Sequence, residues 1–135
     1  MTTPVAIELD ALGDMRPLWD AWLADVARRA HVDAARLEEE LPNWRALLTR
    51  FAEDHAPVYL RPSARATAAL RQLQRDGVAI GVFSDAPEEL ARVAVDHLGA
   101  SRRIDALETG PGALERLLAR LPGARVVRSL AELDS

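Results

Sequence analysis

Val78-Ala79-Ile80-Gly81-Val82-Phe83-Ser84-Asp85-Ala86-Pro87 is the stretch on which the fold of this chain turns. A run of Val, Ile and Phe with no polar face suits a strand buried on both sides, as in a parallel sheet covered by helices. Gly77 and Pro87 bracket the run, and Pro87 fits the first turn of a following helix. The unpaired N–H groups and positive dipole end of such a helix attract anions, and the Ser84 hydroxyl adds a donor. Ser84 and Asp85 are therefore read as a phosphate-binding strand end. The plainer alternative is an ordinary strand-to-helix turn with Asp85 as the helix cap.

Around this segment, 135 residues fit one domain with a real core. A hydrophobic content of 49% with 28% charged residues is globular composition. No apolar stretch approaches the roughly 20 residues that cross a bilayer, so no membrane association is expected. A net charge of −4 without a basic stripe argues against nucleic acid. The start Met1-Thr2-Thr3-Pro4 lacks the features of a secretory signal and cysteine is absent, so the expected location is cytoplasmic. All 17 basic residues are arginine. Chemistry that needs an ε-ammonium group is thereby excluded, while guanidinium groups remain for holding phosphate or carboxylate.

Val5 to Leu9 reads as a first strand closed by Asp10, and Asp14 and Pro17 open a helix with Leu18, Trp19, Trp22, Leu23 and Val26 on one face. Asp33 begins a short helix through Leu37 and Leu41, and Asn43 caps another with Trp44, Leu47, Leu48 and Phe51. Pro57 to Pro62 reads as extended. Ser63 caps a helix carrying Ala66, Ala69, Leu70 and Leu73 that stops at Gly77. After Pro87 come a helix with Leu90, Val93, Ala94 and Leu98, a strand from Ile104 to Leu107, and a helix opened by Gly110-Pro111-Gly112. Arg125-Val126-Val127 is a last strand, and Ser129 caps a final turn. Alternating strands and helices from residue 62 onwards predict a parallel sheet covered by helices.

Two strand ends with polar groups, Asp10 and Ser84, separated by a helical insert, resemble the haloacid-dehalogenase-like (HAD) superfamily. The likeness is strongest from Arg61-Pro62 through Gly77 and Ser84-Asp85-Ala86 to Leu98-Gly99-Ala100 and Ile104-Asp105. It implies an α/β fold, a three-layer α/β/α Rossmann-like core with a short parallel sheet. Residues 1–14 and 57–135 would form that core, and residues 15–56 a small helical cap inserted after the first strand.

In that superfamily the first strand ends in an Asp nucleophile, followed two residues later by an Asp acting as general acid, then Gly and Thr. Two registers are open here. Asp10 as nucleophile aligns Gly13 with the motif glycine and places Leu12 where the acid would be; Glu8 as nucleophile puts Asp10 at the acid position and loses the glycine. The first is preferred because it ends the apolar run at the reactive residue. The resemblance then implies Asp10 as the catalytic group, Ser84 and Asp85 as phosphate ligands, and Asp10 with Asp85 on Mg²⁺.

Several parts of the motif set are missing. Leu12 supplies no proton to a leaving group, help that is typically worth about 10²–10⁴-fold in rate. The superfamily's third motif contributes a Lys, and this chain has none; Arg102, Arg103 and Arg116 are the conceivable substitutes. No acidic Gly-Asp loop appears in residues 85–135 to complete a Mg²⁺ site. The expectation is a HAD-like domain, phosphatase-like in ancestry and catalytically impaired, that binds a phosphorylated small molecule or a protein partner. A Mg²⁺-dependent phosphatase or related hydrolase is the first alternative. The second is a structural module, including a homo-oligomer that covers an open sheet edge or the Trp19, Trp22 and Trp44 group. His31, His55 and His97 show no metal-ligand spacing.

Overall fold

The computed structural model describes residues 2–31 and 34–134, so the Asp33 helix start lies outside the described residues. Among the described residues four strands form one sheet in the order β3-β2-β1-β4, parallel throughout. They are β1 (Val5–Glu8), β2 (Ile80–Ser84), β3 (Ala106–Thr109) and β4 (Arg125–Val127). The helices are α1 (Arg16–Ala30), α2 (Leu37–Glu40), α3 (Trp44–Tyr59), α4 (Ala64–Arg75), α5 (Glu88–His97), α6 (Ala113–Arg120) and α7 (Leu130–Asp134).

The apolar run quoted first is β2, and all five of its residues are buried. It lies between β1 and β3, which is why it lacks a polar face. Alternation along the strands sorts side chains into two layers. Val5, Ile7, Ile80 and Val82 face a large cluster that takes in Leu18, Trp22, Leu48, Leu70, Leu90 and Leu133 from the helices. Ala6, Phe83 and Ala106 face α6 through Ala113 and Leu117. The registers Ala6↔Gly81 and Gly81↔Ala106 lay a row of small residues under α6. A Cβ built on Gly81 would lie 2.6 Å from Leu117 Cδ1 and 2.8 Å from Leu121 Cδ1, so glycine here permits the close approach of the helix.

Capping follows the sequence in several places. Ser63 Oγ accepts from Ala66 N–H at 3.2 Å and Ser129 Oγ from Glu132 N–H at 3.2 Å. Asp14, expected to cap α1, stands one residue before the N-cap Met15 and accepts from the N–H of Arg16 at 3.0 Å. Asn43 occupies the N-cap position of α3 but its side chain makes no cap hydrogen bond.

Three expectations are corrected. Pro57 to Tyr59 is helical, because α3 runs through Pro57 and the next N–H bond is kept at its end, from Leu60 N to Ala56 O at 2.8 Å. Proline removes one ladder bond, and the continuous buried face of Trp44, Leu48, Ala52 and Ala56 holds the helix together across it. The third strand is Ala106–Thr109 and starts later than Ile104. Asp105 sets that start: its N–H bonds Ile80 O at 2.7 Å and its carboxylate accepts from Ile80 N–H at 2.8 Å. Finally, Asp85 does not cap α5, whose N-cap is Pro87 with no side-chain bond.

Candidate functional site

The carboxyl ends of β1, β2 and β3 open on one side of the sheet, where a parallel α/β fold presents its loops. β1 ends at Glu8, and the chain then tightens into a 3₁₀ turn, Leu9–Ala11. The apolar run therefore does not stop at Asp10: Leu9 is fully buried before it, and Leu12, the residue two beyond it, is a core side chain. Glu8 at the strand end with Asp10 two residues on is the spacing of the second register. Gly13, the glycine that favoured the first, has a packing reason of its own. A Cβ there would come within 2.9 Å of both Leu98 methyl carbons.

Two adjoining clefts of about 260 and about 490 Å³ share Glu8, Asp10 and Asp85. The smaller runs past Phe83 and Ser84 to the Gly110–Gly112 loop and Arg128, and the larger past Asp14, Arg16 and Trp19 to Leu90. The structure thus brings together Asp10, Ser84 and Asp85. It differs in what each can do.

Asp10 is exposed at the cleft, and its carboxyl is held above the usual carboxylate range. Partial burial is the main cause, followed by the charges of Glu8, Asp14 and Asp85; a hydrogen bond from the Met15 N–H works the other way. Ser84 is buried, and its Oγ accepts from the Ala86 N–H at 3.1 Å, closing the turn after β2. Asp85 is exposed at the mouth.

The expected lysine substitutes do not reach the site. Arg102 and Arg103 lie at the opposite end of the sheet, beside Gly77, Val78 and Asp105, where Arg103 donates to Gln74. They follow α5, and the chain there is returning to the start of β3. Arg116 is held by Glu108 at 3.0 Å, by the carbonyl of Pro111 at 2.6 Å and by the carbonyl of Thr109. With Arg120 at 2.7 Å it keeps the Glu108 carboxyl below its ordinary range. The cation that does enter the smaller cleft is Arg128, which sequence reasoning missed. Its Nη1 donates to Glu8 Oε2 at 2.8 Å, and its guanidinium lies 5.4 Å from the centroid of the Phe83 ring. The usable signal was its place directly after a strand that could pair with β1.

The donor set does not fit Mg²⁺. That ion takes hard oxygen ligands in near-octahedral order. Among the described residues no three carboxylate or imidazole side chains gather closely enough to hold a metal, and the Glu8 carboxylate is engaged by Arg128. His97 lies elsewhere, with Nε2 3.0 Å from Leu60 O, and His55 stacks on Phe51. Trp22 sits between Trp19 and Trp44, at ring-centroid distances of 5.4 and 6.2 Å, as a packing group between helices α1 and α3. No described helix is long and apolar enough to cross a membrane.

A four-stranded parallel sheet covered on both faces by helices, with a helical segment between its first two strands, is the haloacid-dehalogenase-like fold, and comparison with solved structures shows this chain to have it. A protein of Thermotoga maritima provisionally described as a beta-phosphoglucomutase matches with a TM-score of 0.63 at 16% identity, over 94% of this chain and 75% of that one. A HAD phosphatase of Thermococcus onnurineus matches with a TM-score of 0.56, also at 16% identity, over 80% of this chain and 62% of its own. The likeness at this identity is one of fold. No protein-family model matches the chain, and no curated protein matches it in sequence.

Proposed function

We propose that this chain is a HAD-like domain that has lost phosphoryl transfer and acts by binding, with a protein partner in preference to a phosphorylated ligand. The observation that carries the reading is the charge of the cleft. Glu8, the strand-end carboxylate, already pairs with Arg128, and Asp10, Asp14 and Asp85 stand beside it with Arg16 as the further cation of the larger cleft, so carboxylates outnumber guanidinium groups there. A phosphate dianion entering there meets like charge, and the buried Ser84 hydroxyl already accepts a backbone bond. Positively charged groups on a partner surface meet the opposite field.

One observation favours the hydrolase alternative. The carboxyl of Asp10 is shifted upward, which is the direction a proton donor needs, and in the Glu8 register Asp10 stands at the acid position. Against it, that register makes the nucleophile a glutamate bound to a guanidinium.

The test is hydrolysis of p-nitrophenyl phosphate with Mg²⁺, together with tungstate titration followed on the Ser84 and Ala86 amide signals. The expected result is no turnover above the buffer rate and no saturable tungstate shift. Turnover at an ordinary enzymatic rate that disappears in Asp10→Asn would overturn the loss of catalysis. Saturable tungstate binding without turnover would restore the phosphorylated-ligand reading in place of the protein partner.

A further inference from the structure

Helix α3 packs inward through Trp44, Leu48, Ala52 and Ala56 and carries a second stripe along its outer side. Leu47, Phe51, Asp54 and Val58 follow one another at steps of four, three and four residues, the seam spacing of paired helices. Among the described residues the exposed large apolar side chains are Val58 at 65%, Leu47 at 39% and Tyr59 at 37%, all on this helix, and the first two belong to the stripe. Leu47 and Phe51 also line a groove of about 290 Å³ between α1 and α3, together with Trp22, Val26 and Leu41. The groove shares no lining residue with the two strand-end clefts, so it is a separate surface. Exposed apolar groups gathered in this way mark a site of association.

The charges beside the stripe select the occupant. Arg50 and Asp54 are exposed, line the same groove four residues apart, and make no ion pair among the described residues. Asp25 across the groove is already engaged, by Arg28 at 2.9 Å and Arg29 at 3.0 Å. A helix face with a positive group followed one turn later by a negative one is complementary to itself when reversed. We propose that the occupant is a second copy of this chain, with the two α3 helices antiparallel about a two-fold axis. With the axis passing between residues 52 and 53, Leu47 of one copy meets Val58 of the other and Phe51 meets Asp54, and each pair recurs by symmetry. Asp54 then lies beside Arg50 of the second copy. Two ion pairs form at the centre of the interface, and apolar contacts close both its ends. A parallel arrangement would set Arg50 against Arg50 and Asp54 against Asp54, and like charges placed together disfavour it.

Sedimentation equilibrium of the full chain measures the association. The expected result is a dimer of twice the 14.8 kDa chain mass, with a dissociation constant on the order of 10 µM. Asp54→Arg and Arg50→Asp each bring like charges together and should weaken the dimer at least about tenfold. Exchanging both residues in one chain restores the pairs and should return the wild-type affinity. Both positions are exposed, so these variants keep the core. Because the chain has no cysteine, the direction of pairing can be read covalently. On mild oxidation a mixture of Leu47→Cys and Val58→Cys should form a disulfide between the two variants. Two copies of either one alone hold their thiols about 16 Å apart along the helix axis, too far to join. A wild-type monomer at about 1 mM overturns the proposal. So does a dimer that Asp54→Arg leaves unchanged, a double exchange that stays dissociated, or Leu47→Cys cross-linking to itself.

Discussion

Replacing Asp10 by Asn should stabilise the protein at neutral pH, and the size follows from its surroundings. The carboxyl lies among Glu8, Asp14 and Asp85 and is partly desolvated, so its charged form is disfavoured in the folded state. A carboxyl whose folded value is raised holds its proton longer folded than unfolded. Stability therefore falls as pH rises through the interval from its ordinary value to the raised one, and stays lower above it. Asn removes the charge and keeps an oxygen to accept the Met15 N–H. Because Asp10 is exposed, solvent screens much of the repulsion, and exposed charge pairs are worth about 0.2–1 kcal/mol. The expected gain at pH 7 is about 0.5–1 kcal/mol, a rise of roughly 2–4 °C in midpoint for a domain of this size. At pH 3, where the carboxyl is protonated in both states, the variant and wild type should coincide. Urea unfolding at the two pH values measures both numbers. A loss of more than about 1 kcal/mol at pH 7 would refute the reasoning, since it would mean that Asp10 makes a favourable ionic contact that its neighbours do not reveal.

Gly81→Ala places a methyl against the side-chain ends of Leu117 and Leu121, and because Leu117 is fully buried it must repack within the core to make room, so a loss of about 1–3 kcal/mol is expected in urea unfolding. An unchanged midpoint would show that α6 can lift from the sheet without cost. Ser84→Ala removes the acceptor for the Ala86 N–H at a buried position and should cost about 1–2 kcal/mol by the same assay. If stability holds while an anion affinity is lost, the hydroxyl serves a ligand and not the turn.

How much of the site was legible in the sequence depended on whether local pattern or pairing decided each residue. Ser63 and Ser129 cap helices within three residues of themselves, so their roles could be read from order along the chain. The end of β1 could not. Leu9 extends the apolar run, but β1 ends at Glu8, in register with Phe83, and the chain leaves extended backbone for a 3₁₀ turn, which moves the strand end from Asp10 to Glu8. Pro57 misled for a related reason. Its local effect is to break a helix, and the packing of Leu48, Ala52 and Ala56 overrides it.

What the sequence by itself determined is the buried character of β2, the helical faces, the absence of lysine and the alternation of strands and helices that makes a parallel sheet covered by helices, because each rests on periodicity or residue type. What only tertiary structure decided is which charges meet. Glu8 and Arg128 are 120 residues apart in the chain and become neighbours because β1 and β4 lie side by side. Arg102 and Arg103 are closer to Ser84 in the sequence, yet the return of the chain after α5 carries them to the far end of the sheet. Coulomb interaction depends on distance in space, and strand order, not sequence order, sets that distance at the carboxyl ends of a parallel sheet.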